Sequence, residues 1–402
     1  MIKRTLYNTC FNDNFGRQMR FIAGPRQVGK TTTAKEKLTE MGCGELYYNW
    51  DKREVKNRFK ADPYFYNADA LNVQATPKKW ICFDELHKYP KWKNILKDAF
   101  DSFEEKYQFI VTGSARLDLF RKSGDSLSGR YFMFRLLPVS LMELTNQQKT
   151  LPTKKAAEFI EENIVTASYQ TDLEHMLMFS GFPEPLLKGD EIFSSHWHDE
   201  YIDTLVKEDL RDLTKIHDLE NVITLMKLLP NRVGAPLSIN SLMEDMETSY
   251  NAVRNYVNSL VLTYVIFRVH PFSKKISRAL KKENKVYFYD WTQVAEPARR
   301  FENYVACELK NRVEFWSSAT KHKFELFFVR TRDKKETDFL VTRDQAPYFM
   351  AEVKMSDENV EAHNRLHAER LGNVPLIQIV QKPNVVKAGK DGIYVISASR
   401  FF

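Results

Sequence analysis

Short apolar runs alternate with amphipathic segments along the first third of the chain, a pattern that predicts a sheet whose strands are separated by helices. Residues 19–23 and 109–112 predict two short strands, and residues 47–51 are an aromatic strand candidate. Residues 79–85 form an apolar run that ends in two carboxylates. Because a continuous apolar run is typical of a strand buried on both faces, the pattern predicts a parallel, doubly wound α/β sheet.

The pattern becomes helical in the middle of the chain, where apolar residues recur at helical spacing. Two further helices are then followed by two strands, which is the element order of a winged helix. Another helix and at least two strands predict an α/β domain at the C-terminal end. The segments concerned are 153–188, 194–229, 237–246, 249–262, 264–270, 285–290, 299–313, 336–341 and 348–354.

Composition excludes several classes of protein. Of the 402 residues, 43% are hydrophobic and 28% are charged, while Gly and Pro number only 14 and 15, so disordered and collagen-like chains are excluded. The net charge of +7 permits a nucleic-acid or acidic partner without requiring one. Isolated cysteines, the absence of a ~20-residue apolar run and the lack of a signal-peptide pattern predict a cytoplasmic protein without a membrane partner.

A glycine-rich loop follows the first predicted strand and fits G-x-x-x-x-G-K-[ST] at every position. The loop consists of Gly24, Pro25, Arg26, Gln27, Val28, Gly29, Lys30 and Thr31, and Thr32 continues into the next helix. Glycines allow backbone N–H groups to surround a phosphate, and a helix N-terminus adds a favourable dipole. We expect Lys30 to reach the β- and γ-phosphates and the Thr31 hydroxyl to ligate Mg²⁺.

Polar residues at the ends of two other strands complete the predicted nucleotide site. Asp84 is expected to hold Mg²⁺ directly or through water, and Glu85 to polarise the attacking water. Thr112 and Ser114 are candidates for sensing the γ-phosphate at the end of the strand 109–112, which should lie between the other two strands. Because no guanine-selective Asn-Lys-x-Asp motif is present, adenine is the expected base and ATP the expected nucleotide.

These motifs resemble one prokaryotic family, the AAA-type P-loop ATPases that carry a C-terminal domain of unknown function. The matching residues lie at 24–31, 83–88, 111–115, 129–130, 137–140 and 180–185. The resemblance implies a P-loop NTPase core over 1–145, a helical lid or linker over 146–235, a winged helix over 236–292 and a nuclease-like α/β domain over 293–402. It also places Arg130 where an arginine finger from a neighbouring subunit would lie, which would require a homo-oligomer; the alternative is an internal ion pair.

The loop between the two strands of the predicted winged helix is strongly basic. Its positive residues are Lys274, Lys275, Arg278, Lys281 and Lys282, with Lys285 nearby. Such a loop suits phosphate contacts that do not depend on base sequence, which makes DNA a candidate partner. Winged helices also bind proteins, so a protein partner is the alternative.

The C-terminal part carries the pattern D…E-x-K. Alternation places Glu352 and Lys354 on one face of a strand, and Asp338 lies on the strand predicted to pair with it. This pattern resembles the PD-(D/E)xK nucleases, which implies a second divalent ion, Mg²⁺ or Mn²⁺, on Asp338 and Glu352, with Lys354 orienting the water. Glu302 and Glu308, on the preceding helix, are candidates for a third acid.

The combined prediction is a Mg²⁺-dependent ATPase whose winged-helix and nuclease-like regions act on nucleic acid. The predicted catalytic residues are Lys30, Glu85, Arg130, Asp338, Glu352 and Lys354. The alternative is an ATP-gated binding or signalling switch without nuclease activity. Stimulation of ATP turnover by DNA distinguishes the two.

Overall fold

The computed structural model describes residues 2–74, 78–113, 127–147, 151–205, 210, 218–273, 283–389 and 391–402. Its contacts divide the chain into two compact units, Arg4–Leu137 and Pro138–Phe402, the latter including the first three residues. The finer division of the second unit into lid, winged helix and nuclease-like part stays a prediction. Within the described ranges, every helix is too short or too polar to cross a bilayer.

The first unit is built on a five-stranded parallel sheet. Its strands are β1 (Met19–Ala23), β2 (Tyr47–Asn49), β3 (Lys79–Asp84), β4 (Tyr107–Thr112) and β5 (Tyr131–Arg135). Its α-helices are Thr5–Cys10, Lys30–Glu40, Arg53–Ala61, Phe65–Asn72 and Trp92–Phe103, and 3-10 turns lie at Asp13–Phe15 and Leu86–Lys88. The strand order is β2-β3-β4-β1-β5, and every neighbouring pair is parallel.

This order confirms the predicted parallel sheet and the position of β4 between β1 and β3. Because the strands are parallel, the carboxyl ends of all five lie along one edge of the sheet. Asp84 ends β3 and is paired in register with Thr112, which ends β4. The same edge therefore carries the phosphate loop after β1 and the polar ends of its two neighbours.

The second unit begins with helices and ends in a mixed sheet. Its α-helices are Leu141–Leu144, Ala156–Asn163, Gln170–Phe179, Pro183–Lys188, Glu191–Thr204, Leu219–Leu228, Ile239–Asp245, Tyr250–Leu262, Pro297–Ala319, Ala362–Arg370 and Ala398–Phe401, and 3-10 turns lie at Leu229–Arg232 and Trp291–Gln293. Its strands are β6 (Ile266–Pro271), β7 (Lys285–Phe288), β8 (Phe324–Arg330), β9 (Glu336–Arg343), β10 (Ala346–Lys354), β11 (Leu376–Val380), β12 (Val386–Ala388) and β13 (Ile393–Ser397).

The sheet of the second unit has the order β12-β13-β11-β10-β9-β8-β6-β7. Strands β6 and β7 form an antiparallel hairpin, and β6 also pairs in parallel with β8 through His270 and Phe327. The hairpin that follows the two helices Ile239–Asp245 and Tyr250–Leu262 is therefore part of the same sheet as the D…E-x-K strands. The order of two helices and a hairpin is the one expected for a winged helix.

The helix Pro297–Ala319 packs against β7, β8 and β10 of this sheet. Proline stands at its first position, where the missing N–H costs nothing, and the Glu296 carboxylate accepts hydrogen bonds from the backbone N–H groups of Ala298 and Arg299. Its buried face includes Tyr304 and Trp316. This 23-residue helix fixes the position of Glu302 over the sheet.

Candidate functional site

The loop after β1 has a backbone that only glycine can adopt at its key positions. Gly24 has φ of +145°, and a Cβ atom there would lie 2.0 Å from the carbonyl oxygen of Leu136. Gly29, at φ +95°, is the N-cap of the helix Lys30–Glu40. The loop therefore turns sharply into a helix N-terminus, which is the backbone arrangement of a phosphate-binding loop.

Lys30 is buried inside this loop. Its ammonium group donates hydrogen bonds to the carbonyl oxygens of Gly24 at 3.0 Å and Pro25 at 2.5 Å. The loop is held from behind by Arg4, whose guanidinium donates to the carbonyl oxygen of Val28 at 2.7 Å and also to that of Leu137. Arg4 was not predicted, because no motif links a residue near the N-terminus to a loop that follows twenty residues later.

The Asp84 carboxylate accepts hydrogen bonds from three hydroxyl groups. Thr31 donates from the helix after the loop, at 3.0 Å, and Thr112 donates from the end of β4. Tyr47, at the start of β2, donates to the same oxygen as Thr31. Hydroxyl and carboxylate oxygens are the ligands that Mg²⁺ prefers, so the Thr31–Asp84 pair fits this ion. Tyr47 was predicted only as part of an aromatic strand.

Glu85 follows Asp84 in a left-handed conformation, with φ of +59°, and its backbone N–H donates to the carbonyl oxygen of Thr112 at 3.1 Å. Its carboxylate lies 3.1 Å from the Lys88 ammonium. Burial raises the pKa of Glu85 above its usual value, although Lys88 and Lys30 oppose the rise. The geometry places a partly buried carboxyl group directly beside the Asp84 edge.

Three further predicted nucleotide residues belong to the phosphate loop and the helix that follows it. Arg26 is half-buried, whereas Gln27 and Thr32 are exposed. Ser114 lies outside the described residues, so its role as a γ-phosphate sensor stays a prediction. Thr112, the other sensor candidate, is buried and contacts Asp84 directly.

Arg130 lies at the opposite edge of the sheet. It precedes β5, whose first residue, Tyr131, is paired with Met19 at the start of β1. Its guanidinium makes a two-pronged contact with the Asp101 carboxylate, at 2.7 and 2.9 Å. At ~3.3 Å per residue, a five-residue strand separates it from this chain's own phosphate loop. The arginine-finger role therefore stays a hypothesis about a neighbouring subunit.

The second unit brings Asp338, Glu352 and Lys354 together as the alternation predicts. The backbone N–H of Asp338 donates to Glu352 at 3.3 Å, and the Asp338 carboxylate accepts from the N–H of Val353 at 3.0 Å. The Lys354 ammonium lies 3.1 Å from Glu352 and 2.9 Å from Glu361. Desolvation, followed by the nearby charge of Asp338, raises the pKa of Glu352 to about 8.

Lys285 corrects the sequence-based picture of an exposed basic wing. Its side chain is fully buried, and its ammonium lies 2.8 Å from Glu336, 3.1 Å from Asp338 and 3.3 Å from Glu302. Tyr287, also on β7, donates a hydrogen bond to Glu302 at 2.7 Å. Burial alone would lower the pKa of Lys285, but these negative neighbours raise it well above its usual value. The other basic residues of the predicted loop, 274–282, lie outside the described residues.

Only one of the two acids proposed from the helix Pro297–Ala319 joins this cluster. Glu302 does so, and burial raises its pKa. Glu308 instead accepts a hydrogen bond from the backbone N–H of Leu141 at 2.7 Å, and burial raises its pKa to about 7. Glu308 therefore has a structural contact and is not the third acid.

The structure also corrects the prediction of a second divalent ion on Asp338 and Glu352. In the part of the chain that the structure describes, no three acidic, histidine or cysteine side chains are arranged to hold a metal ion. The ammonium group of Lys285 contacts Asp338, and that of Lys354 contacts Glu352, so lysine nitrogen atoms occupy positions that a metal ion would need. The residue types of a metal site are present at Asp338 and Glu352, but their surroundings do not fit one.

Comparison with protein families assigns the two parts of the chain separately. Residues 16–145 match the model of an AAA domain, and residues 170–293 match a domain of unknown function, DUF8612. Residues 16–145 are therefore similar to AAA domains, in agreement with the five-stranded parallel sheet and the phosphate loop of the first unit.

Relatives occur in archaea and bacteria. An uncharacterized protein of Methanocaldococcus jannaschii is 25% identical over 73% of this chain and 67% of its own length. A second one from that organism is 21% identical over 69% and 61%, and one from Mycobacterium tuberculosis is 22% identical over 67% and 53%. The matched region therefore spans between about half and two thirds of these relatives.

Among solved structures, the Aeropyrum pernix ORC1 protein in complex with DNA aligns with 72% of this chain and 86% of its own. The TM-score is 0.31 and the sequence identity is 12%. A likeness at this level supports no conclusion about function.

Proposed function

We propose that this chain binds ATP with Mg²⁺ and hydrolyses it, and that the free energy of this cycle drives a change in what its second unit binds. The observation that carries the proposal is the hydrogen bond between Thr31 and Asp84, at 3.0 Å. It joins the phosphate loop to the acidic end of β3, beside the buried ammonium of Lys30.

Each residue of this edge has a distinct part in the proposed reaction. The loop N–H groups and Lys30 would bind the triphosphate, and Thr31 and Asp84 would hold Mg²⁺. The ion would supply positive charge that neutralises the phosphates. Glu85 accepts a hydrogen bond from the attacking water and orients it for in-line displacement. The reaction depends on positioning and charge, with no covalent intermediate on the protein.

Calorimetric titration of ATP into the parent chain and Lys30→Ala tests the first step. The parent should bind ATP in Mg²⁺ with measurable heat, and Lys30→Ala should lose this signal because no ammonium neutralises the phosphates. Lys60→Ala is the matched control, since Lys60 is an exposed lysine of the same unit. Equal heats for the parent and Lys30→Ala would refute the nucleotide site.

We also propose nucleic acid as the partner of the second unit. The support is the order of two helices and a hairpin, together with the basic sequence of the connecting segment. ATP turnover should rise on addition of double-stranded or single-stranded DNA, and the effect should weaken steeply with salt. Turnover that is unchanged by either DNA at low salt would count against this partner.

One observation favours the alternative, an ATP-gated switch that binds its partner without cutting it. The acidic cluster at Asp338 and Glu352 contains two lysine ammonium groups. Slow turnover with tight retention of ATP, and no cleavage of DNA in the same reactions, would support the switch. Rapid DNA-stimulated turnover would support a motor.

A further inference from the structure

We infer that the ammonium group of Lys285 takes the place of a divalent metal ion in the acidic cluster of the second unit, so that this cluster excludes metal and does not support metal-dependent cleavage. The cluster is defined as Glu302, Glu336, Asp338 and Glu352. The inference concerns the second unit alone and does not depend on the proposed ATPase activity.

The position of Lys285 is that of a shared cation. Its ammonium contacts one oxygen each of Glu336, Asp338 and Glu302, at 2.8, 3.1 and 3.3 Å. It also lies 5.6 Å from the centre of the Phe328 ring, within the range of a cation–π contact. Three carboxylates, two from strand β9 and one from the helix Pro297–Ala319, therefore converge on a nitrogen atom that is fully removed from solvent.

A divalent ion cannot share these oxygens with the ammonium group. Carboxylate oxygens bind Mg²⁺ at about 2.0–2.1 Å, and such an ion would lie next to a buried positive charge. The repulsion between the two cations is poorly screened in a buried site. As long as the ammonium group stays in the cluster, the oxygens Oδ1 of Asp338 and Oε1 of Glu302 are already neutralised.

The backbone of Lys285 keeps it in this position. In the hairpin, Lys285 is paired with Val269 of β6, and on its other side it forms an isolated bridge with Pro236. The backbone N–H of Leu237 donates to the carbonyl oxygen of the preceding residue, Asn284, at 2.9 Å. Because β7 is held on both sides, the backbone of Lys285 is fixed beside the cluster, and the three ion pairs hold its ammonium group there.

The fourth acid is neutralised by a different lysine. Glu352 is 3.1 Å from the ammonium group of Lys354, which also contacts Glu361 at 2.9 Å. In the sequence-based reading, Lys354 would orient a water on a metal ion. In the structure Lys354 is an ion-pair partner of Glu352. Each of the four acids of the cluster is therefore in contact with a lysine ammonium group, either that of Lys285 or that of Lys354.

Removal of the Lys285 charge should therefore create a metal site. The experiment is calorimetric titration of Mn²⁺ into full-length, nucleotide-free protein that carries Asp84→Asn to silence the ATPase site. In this background, Lys285→Met should bind one additional Mn²⁺ per chain. Its affinity for Mn²⁺ should be at least about tenfold higher than that of the Asp84→Asn protein in which Lys285 is intact. The added Asp338→Asn should abolish the gain. Lys323→Met is the matched control, because Lys323 forms an exposed pair with Glu325 in the same sheet.

Thermal unfolding provides a second readout. Mn²⁺ should raise the melting temperature of Lys285→Met and leave that of Lys323→Met unchanged, because only the former gains a site. A folded Lys285→Met variant that gains neither Mn²⁺ binding nor thermal stability would overturn the inference.

If Lys285→Met does not fold, a second experiment that keeps Lys285 tests whether the cluster binds metal. Mn²⁺ is titrated into the Asp84→Asn background with and without Asp338→Asn. Identical isotherms support the inference, since Asp338 then contributes to no metal site. Loss of one Mn²⁺ equivalent with Asp338→Asn shows that the cluster binds metal in the presence of Lys285, and the inference is wrong.

Discussion

The two acidic sites of this protein use similar residues and differ in how their charge is balanced. Asp84 lies at the edge of the first sheet among the hydroxyl groups of Thr31, Tyr47 and Thr112. Asp338 lies in the second sheet against the ammonium group of Lys285. The first carboxylate has neutral hydrogen-bond donors, and the second has a permanent cation.

This difference decides what each site can bind. Hydroxyl groups leave the carboxylate charge in place, and a hydroxyl oxygen can itself become a metal ligand. An ammonium group has no lone pair to offer and already satisfies the charge. The presence of paired acids and a lysine in a sequence is therefore insufficient to predict a metal site, because the outcome depends on where the lysine charge is placed.

The largest expected effect is a loss of ATP turnover at the nucleotide site. Glu85→Gln keeps the size of the side chain but replaces the charged carboxylate with a neutral amide, a weaker acceptor that cannot take a proton from water, so ATP turnover should fall by about 10²-fold or more while ATP affinity is retained. Steady-state phosphate release and calorimetry measure the two quantities. Glu54→Gln, at an exposed position of the same unit, is the control. Full turnover in Glu85→Gln would show that another group orients the water.

The second prediction tests whether the charge of Lys285 stabilises the acidic cluster. Lys285→Met should lower the free energy of unfolding by about 3–5 kcal/mol, since it leaves buried carboxylates without their cation. Lys323→Met should cost less than about 1 kcal/mol, because its pair with Glu325 is exposed. Chemical denaturation of the second unit, followed by fluorescence, measures both values. Equal losses for the two variants would contradict an internal cation.

The sequence predicted the parts of the molecule whose residues are adjacent in the chain. The phosphate loop occupies eight consecutive positions, and Asp84 ends a strand formed by an unambiguous apolar run, with Glu85 as the next residue. Both lie where expected because a parallel sheet brings strand ends to one edge. Local pattern is sufficient in these cases, since the chemistry and the element that carries it are contiguous.

Contacts across long sequence separations could not be predicted. Tyr47 reaches Asp84 only because β2 pairs with β3, and Arg4 reaches Val28 from outside the motif. Lys285 was grouped with the basic residues that precede it, although it begins a strand that pairs with β6. Since β6 also pairs with β8, that hairpin extends the sheet that carries the acids. The direction of a side chain on an edge strand depends on this pairing, which no local pattern encodes.

The third prediction sharpens the difference between hydroxyl and ammonium partners. Tyr47→Phe removes one of the three hydroxyl groups on Asp84, and a hydrogen bond to a charged group is worth about 1.5 kcal/mol. We expect kcat to fall by about tenfold with little change in ATP affinity, because the carboxylate loses an orienting donor but keeps its charge. Tyr64→Phe, at an exposed tyrosine of the same unit, should leave kcat unchanged. A loss of ATP affinity alone would point to a packing role for Tyr47.

The smallest expected effect comes from an acid whose cation can be switched off by pH. Asp290 lies 2.9 Å from His198, and Thr292 donates to Asp290 at 2.7 Å and lies 3.0 Å from the other ring nitrogen of His198. Burial opposes the charged imidazole, but the adjacent carboxylate of Asp290, aided by Asp199, holds the pKa of His198 above its usual value. Burial likewise opposes the charged form of Asp290, but the adjacent imidazole of His198 holds the pKa of Asp290 below its usual value.

His198→Gln should therefore cost on the order of 1 kcal/mol of unfolding free energy near pH 6, where both groups are charged. The imidazole contribution is complete below the unfolded-state pKa of about 6.5 and disappears as the pH rises through the higher folded-state value. The difference between parent and variant should thus shrink from pH 6 to pH 9 in denaturation measurements. A pH-independent His198→Gln loss would mean that the histidine is neutral in the folded protein, and that Asp290, like Asp84, is held by uncharged donors.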